Sequence, residues 1–184
     1  MHPVLEEADR KMKHAVEVTV HDFSHIRTGR ANPAVLEPIM VSYYGVDTPI
    51  NQCATISIPE PRQLQITPYE KSMFGPIEKA ILASDLGITP NNDGIAIRLN
   101  FPQMNEERRK EMAKQVAQRA EEGCVAIRNV RHHAINTLRD LEKGKEITED
   151  ELKSMEKKVQ ELTDKHIAET HAAQKKKEAE VMEI

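Results

Sequence analysis

There is no tryptophan in this chain, and Phe and Tyr together number only six of 184 residues. Large rings therefore do not dominate its core. Cysteine is almost as scarce. Cys53 and Cys124 lie far apart and form no CxxC, which excludes a disulfide framework and a cysteine-rich zinc site and fits a reducing compartment. No apolar run approaches the roughly 18 residues of a membrane span. Glu6, Glu7 and Asp9 stand where a signal peptide needs an apolar stretch, and the terminal Val181-Met182-Glu183-Ile184 has no prenylation cysteine. A soluble cytoplasmic protein is expected. Positive charge is not in excess either: 26 Lys+Arg against 30 Asp+Glu give −4. That excludes a globally basic nucleic-acid coat, though not a local basic face.

What is present is unevenly spread. Nine of ten prolines and five of six Phe+Tyr fall between residues 31 and 104, a stretch holding 11 charged residues. The other 110 residues hold 45. So sharp a shift predicts a charged, nearly proline-free helical domain, residues 1–30 and 105–184, into which a small β-containing domain, 31–104, is inserted.

In the outer part, Leu5, Ala8, Met12, Val16, Thr19, Phe23 and Ile26 recur at helical spacing and predict a helix over 4–28, with Gly29 as its C-cap. A second helix is expected over 105–143, with Asn105 as N-cap and Val116, Ala120, Ile127, Ala134 and Leu138 on its buried face. Gly123 marks a place where a neighbouring helix comes close, and Gly144 breaks the run. The third start has a capping box, Thr148 with Glu151, and a staple, Ile147 with Leu152. Leu152, Met155, Val159, Leu162 and Ile167 continue its stripe, with fraying expected after about Ala173. Short connections make the three helices an elongated antiparallel bundle.

In the inserted block, period-2 alternation predicts strands around Ile39–Tyr43, Ala54–Ile58, Gln63–Thr67 and Ile95–Asn100. Pro59-Glu60-Pro61-Arg62 turns the middle pair, and Asn91-Asn92-Asp93-Gly94 introduces the last strand. Pro76 suits the first position of a helix that Gly87 ends. The fold class is α+β.

Catalytic signatures are missing: no GxSxG, HExxH, P-loop or GxGxxG occurs. His14, His21 and His25 share a helical face without a carboxylate or cysteine at ligand spacing, and read as solvated rather than as a metal site. His132 and His133 are adjacent on a helix, so they diverge by about 100° and cannot chelate together. Cys53 and Cys124 read as small buried residues. Tyr43-Tyr44-Gly45 offers rings that could stack bases, but reads as one core tyrosine, one rim tyrosine and a turn. The second helix is more informative. Lys110, Lys114, Arg128, His132, Arg139 and Lys143 fall within a sector of about 60°, with Arg109 and Arg131 between it and the apolar stripe, while Glu107 and Glu121 intrude. Such a face is either solvated and paired with acids or a rail for phosphates. Periodicity alone does not choose.

Several segments resemble the ribosome recycling factor family: Ile26-Arg27-Thr28-Gly29-Arg30-Ala31, Ala83-Ser84-Asp85-Leu86-Gly87, Asn105-Glu106-Glu107-Arg108-Arg109-Lys110, Val125-Ala126-Ile127-Arg128-Asn129-Val130-Arg131, Lys145-Glu146-Ile147-Thr148-Glu149-Asp150 and Leu162-Thr163-Asp164. They run end to end in family order. The resemblance implies an L-shaped monomer of tRNA-like dimensions, a three-helix bundle joined to a β/α/β domain. It also implies a non-enzymatic factor, without cofactor or metal, that splits the post-termination ribosome together with elongation factor G and that partner's GTP hydrolysis, freeing mRNA and tRNA. The bundle would lie on large-subunit rRNA near the peptidyl-transferase region and the intersubunit bridges. Arg131 matches the family's key bundle arginine, with Arg128 one turn earlier. Arg27 and Arg30 match basic positions near the hinge, and Arg109 matches one at the start of the second helix. Together with Lys110, Lys114 and Arg139, these are the expected rRNA contacts. The expected hinge is Arg30, Ala31, Asn32, Pro33, Pro102, Gln103 and Met104. His132-His133 departs from the more strongly basic or acidic pair the family leads one to expect, leaving charge there dependent on pH. The runner-up is a helical adaptor or co-chaperone that binds proteins only.

Overall fold

The computed structural model describes residues 1–183. The chain divides into two compact units, Met1–Phe23 with Lys114–Glu178, and Ser24–Ala113 with the chain from Ala179 onward. The expected hinge residues all lie inside the second of these.

The first unit is built from α1 (Pro3–Ser24), α4 (Glu106–Lys143) and α5 (Glu149–Met182), as far as each falls within it. Leu5, Ala8, Met12, Thr19 and Phe23 form the buried face of α1. Val116, Ala120, Cys124, Ile127, Ala134 and Leu138 form that of α4. Contacts fix the directions. Arg119 pairs with Asp22 and Gly123 abuts Thr19, so α1 and α4 run antiparallel. Cys124 meets His171, Arg131 meets Gln160 and Arg139 meets Glu156, so α4 and α5 do as well.

The third helix departs from its expected stripe. Leu162 and Ile167 are only half-buried, whereas Thr163, His166 and Thr170 are buried. Their polar atoms are satisfied, which removes the main cost of burial. The hydroxyls of Thr163 and Thr170 donate to the carbonyls of Val159 and His166 one turn back. Thr19 does the same to Ala15 on α1. Both His166 ring nitrogens face carboxylates.

Two ends of the long helices differ from the sequence reading. α1 stops at Ser24, not near residue 28. Beyond it, Asn32 donates a long bond to the Ser24 carbonyl and Arg27 is engaged elsewhere. α5 does not fray after Ala173 but continues to Met182, because Lys177 and Val181 are buried and Arg30 pairs with Glu183. The expected caps are present. Asn105 Oδ1 accepts from the Arg108 amide, and Thr148 Oγ1 accepts from the Glu151 amide. After α4 the chain makes a Schellman stop, Glu146 N–H to Leu141 and Lys145 N–H to Glu142. The left-handed residue is Lys145, at φ 59°, and not Gly144.

The second unit holds β1 (Met40–Tyr43), β2 (Val46–Pro49), the short helix α2 (Ile50–Cys53), β3 (Ala54–Glu60), β4 (Gln63–Pro68), α3 (Phe74–Ala83), β5 (Asn91–Asn92) and β6 (Ile97–Asn100). β1 and β2 form a hairpin, and the other four strands form an antiparallel sheet in the order β3-β4-β6-β5. Leu64, Ile66, Ile97 and Leu99 meet Val41, Ile77, Ile81 and Phe101 in one core. The β2 strand was not expected, because Val46-Asp47-Thr48-Pro49 has no apolar alternation. Two other details move. α3 begins at Phe74, two residues before Pro76. Ile95 is exposed while Ala96 and Ile97 are both buried, which breaks the expected alternation. Asp93 causes this by accepting the amides of Ile95 and Ala96 and bending the chain into β6.

Candidate ribosome-binding surface

α4 places Lys114, Arg128, Arg131 and Arg139 in the first unit, and most of these cations are tied down. Arg128 pairs with Glu121 at 3.0 Å, so the acid that interrupts the basic sector is its partner. Arg139 pairs with Glu156 on α5 at 3.0 Å. Lys114 is exposed. Acids thus pair with part of the basic face, as its solvated reading expects.

Arg131 differs from its neighbours. It is half-buried, and its Nη1 donates to Gln160 Oε1 at 2.7 Å. Gln160 in turn donates through Nε2 to Asp164 Oδ1 at 2.8 Å. A relay of uncharged and charged groups on α5 therefore aims the guanidinium. Its Nε is buried and has no partner among the described residues. Among the described residues no carboxylate forms a direct ion pair with it, so its positive charge is oriented without being neutralised at close range. That is how a residue built to meet an external phosphate or base edge would be prepared.

Arg27, Arg30, Arg109 and Lys110 belong to the second unit, and they serve its own backbone and acids. Arg27 donates to the Pro102 carbonyl at 3.2 Å and lies over the Phe101 ring, 5.9 Å from its centroid. Burial pushes its guanidinium pKa down, with the like charge of Arg108 adding to the effect. Arg109 donates to the Met104 carbonyl at 2.9 Å. Two arginines thus grip the Phe101–Met104 segment, which also donates from the Phe101 amide to the Arg62 carbonyl. Lys110 pairs with Glu106 and Arg30 with Glu183. Sequence spacing gave no sign that Arg27 and Arg109 hold carbonyls, because their partners are 75 and 5 residues away in the chain.

The remaining candidates fall into place. Burial raises the thiol pKa of both Cys53 and Cys124. Cys124 Sγ lies 3.7 Å from His171 Nε2, yet desolvation opposes the thiolate that nucleophilic chemistry needs. His132 and His133 are exposed. His14 and His21 are exposed on α1, while His25 lies 2.9 Å from Glu37, a carboxylate that spacing along the helix could not reveal. A groove of about 380 Å³ between α1 and α4 is lined by Arg10, His14, Val18, Thr19, Arg119 and Ala126 among others.

The family model described as ribosome recycling factor matches residues 19–182. The chain belongs to the ribosome recycling factor family. It is 55% identical to the ribosome-recycling factor of Geobacillus thermodenitrificans and 51% identical to that of Listeria monocytogenes, in each case over 98% of both chains. Among solved structures it resembles the solution structure of a ribosome recycling factor, with a TM-score of 0.77 and 38% identity over 98% of this chain and 96% of that one. It also resembles the T. thermophilus ribosome recycling factor, described with E. coli elongation factor G bound to the E. coli post-termination complex. There the TM-score is 0.67 and the identity 43%, over 98% and 97% of the two chains. These likenesses agree with the α+β class expected from the sequence, and the helical adaptor is not favoured. No described helix is long and apolar enough to cross a membrane.

Proposed function

We propose that this chain binds the post-termination ribosome and, with elongation factor G and GTP hydrolysis by that partner, separates the subunits and releases mRNA and tRNA. It does so in the cytoplasm as a monomer and without catalytic residues of its own. Family membership supports the reading, and Arg131 is the observation that carries it to a residue. What supports it is a guanidinium steered by Gln160 and Asp164, with no ion-pair partner among the described residues and so with charge left for an rRNA phosphate or base edge. Lys114, Arg128 and Arg139 add charge, and the acidic partners of Arg128 and Arg139 exchange for phosphates at small cost, because exposed ion pairs are weak. Arg27, Arg30, Arg109 and Lys110 contribute from the second unit. Arg27 and Arg109 do so chiefly by holding Pro102 and Met104, residues that with Arg30, Ala31, Asn32, Pro33 and Gln103 serve as the hinge. Pro33 and Pro102 restrict the residues that precede them, so motion in these two segments is rotation at a few positions and not free tumbling.

The test is co-sedimentation of Arg131→Ala with vacant ribosomes across a salt series. Affinity should fall by about 1–3 kcal/mol, the worth of a charge-assisted contact, with the salt slope reduced by roughly one phosphate. Thermal unfolding should be unchanged. Normal ribosome affinity in the Arg131→Ala protein would remove this surface from the mechanism.

A further inference from the structure

The tip of the β1–β2 hairpin carries a residue that its own backbone disfavours. Tyr43 pairs with Val46, so Tyr44 and Gly45 form a two-residue turn, and both have positive φ, 49° and 81°. That is the geometry of a type I′ turn, for which Asn-Gly is the favoured pair. Gly45 meets the requirement. A tyrosine at its first position is an outlier, since a bulky side chain rarely takes the left-handed region. Nor is the ring there to fill a core. Tyr44 is 77% exposed, as are Val46 at 64% and Tyr69 at 66%.

The ring is nevertheless held. Tyr44 donates to Glu70 Oε2 at 2.8 Å and Tyr43 to Glu70 Oε1 at 3.0 Å, and the two rings sit edge to face with centroids 4.6 Å apart. Tyr43 packs against the core, so the clamp ties an exposed ring to a fixed one. An aromatic side chain immobilised before binding has little rotamer entropy left to lose, which is the property of an interface anchor.

Charge selects the kind of partner. Residues 31–104 carry four basic side chains, Arg62, Lys71, Lys79 and Arg98, against seven acidic ones, a net of −3. A carboxylate, that of Glu70, sits at the hydroxyl end of the ring. Hydrogen bonds from Tyr44, then Tyr43, then Ser72 lower the pKa of Glu70, so it is ionised. It retains acceptor capacity for a further donor. Such a surface repels nucleic-acid phosphates and attracts a guanidinium or ammonium.

We propose that Tyr44, held by Glu70 and followed on the same hairpin by the exposed Val46, is the anchor of a docking surface for a protein partner that presents an arginine or lysine beside an apolar patch. The inference rests on the recycling activity proposed above, because the partner used to test it is elongation factor G.

The test replaces Tyr44 with the residue the turn prefers. Tyr44→Asn keeps the hairpin geometry, so it should melt at or above the temperature of the parent chain and bind vacant ribosomes with unchanged affinity. In a light-scattering assay of subunit separation it should need roughly tenfold or more elongation factor G for half-maximal rate. Val46→Ser, which leaves turn and clamp intact, should shift the same dependence in the same direction. An unchanged dependence on elongation factor G in both variants overturns the proposal. So does weakened binding of Tyr44→Asn to ribosomes alone, which would make the ring a stacking platform for RNA, or a lowered melting temperature, which would make it structural. If the unaltered chain fails to separate subunits, the recycling reading fails first and takes this one with it.

Discussion

His166 and Asp9 meet at 2.7 Å, Nε2 to Oδ1, although 157 residues separate them. The imidazole is almost wholly buried, with a side-chain exposure of 3%, and its Nδ1 lies 3.0 Å from Glu169. This contact fastens α5 to α1 with a polar group placed where an apolar residue would ordinarily sit. Removing Asp9 leaves a buried ring nitrogen without its partner. Asp9→Ala should therefore destabilise the protein by about 1–3 kcal/mol in urea unfolding. A change below about 0.5 kcal/mol would show that water replaces the carboxylate without loss.

Gly123 is set by a neighbour and not by backbone conformation. A Cβ built there would overlap the Thr19 side chain, approaching its Cγ2 and Cβ to 3.2 and 3.3 Å as well as its hydroxyl. Thr19 cannot swing aside freely, because it is β-branched and bonded to the Ala15 carbonyl at 2.8 Å. Gly123→Ala gains about 1 kcal/mol of helix propensity. Overpacking should outweigh that and leave a net loss on the order of 1–2 kcal/mol. Adding Thr19→Ala should restore most of it, and a double-mutant cycle with no coupling would refute the contact.

Lys145 takes the left-handed position of the stop between α4 and α5, and its side chain is exposed. Glycine has no Cβ penalty there. Lys145→Gly should stabilise the fold by roughly 0.5–1 kcal/mol, measured as a higher denaturation midpoint with an unchanged slope. A lower midpoint would mean the lysine makes a compensating interaction.

Asp93 supplies a pH dependence of known sign. Amide bonds from Ala96, with Arg98 and the Ile95 amide adding to them, hold its carboxyl well below the usual range, at about 2. A depressed folded value contributes stability above the ordinary carboxylate range. That contribution is lost as the pH falls through the range toward about 2. Carboxyl-detected NMR should place the Asp93 midpoint near the bottom of that window. In Asp93→Asn the acid limb of the stability profile should be shallower. An ordinary midpoint would show that the turn into β6 opens in solution.

How much of this was legible beforehand depends on distance along the chain. Asn105, Thr148 and Glu151 could be read as caps because capping involves residues three apart and obeys local rules. The strands around Val41, Leu64 and Leu99 showed in their alternation, since one face of each is buried. The proximity signalled by Gly123 was legible as well, although its neighbour was not. The basic face of α4 was visible as a sector, but not its division into Arg128 and Arg139, paired with acids, and Arg131, aimed by Gln160.

Tertiary structure decided the remainder, and for one physical reason. A side chain's character depends on the partner that satisfies it and on where the fold leaves it, and several of the deciding partners are remote in the chain. His166 is a core residue only because Asp9 and Glu169 bracket it. Thr163 and Thr170 displace Leu162 and Ile167 from the buried stripe because their hydroxyls find carbonyls. Arg27 and Arg109 hold Pro102 and Met104 because the backbone folds within their reach. Tyr44 stands exposed in a turn that suits asparagine because Glu70, 26 residues away, grips its hydroxyl. The amino-acid order determined the three long helices, the strands with alternating faces and the caps, and its resemblance to a known family pointed to the ribosome. Which polar groups are spent inside the molecule, and which remain turned outward for a partner, was settled only when distant residues met.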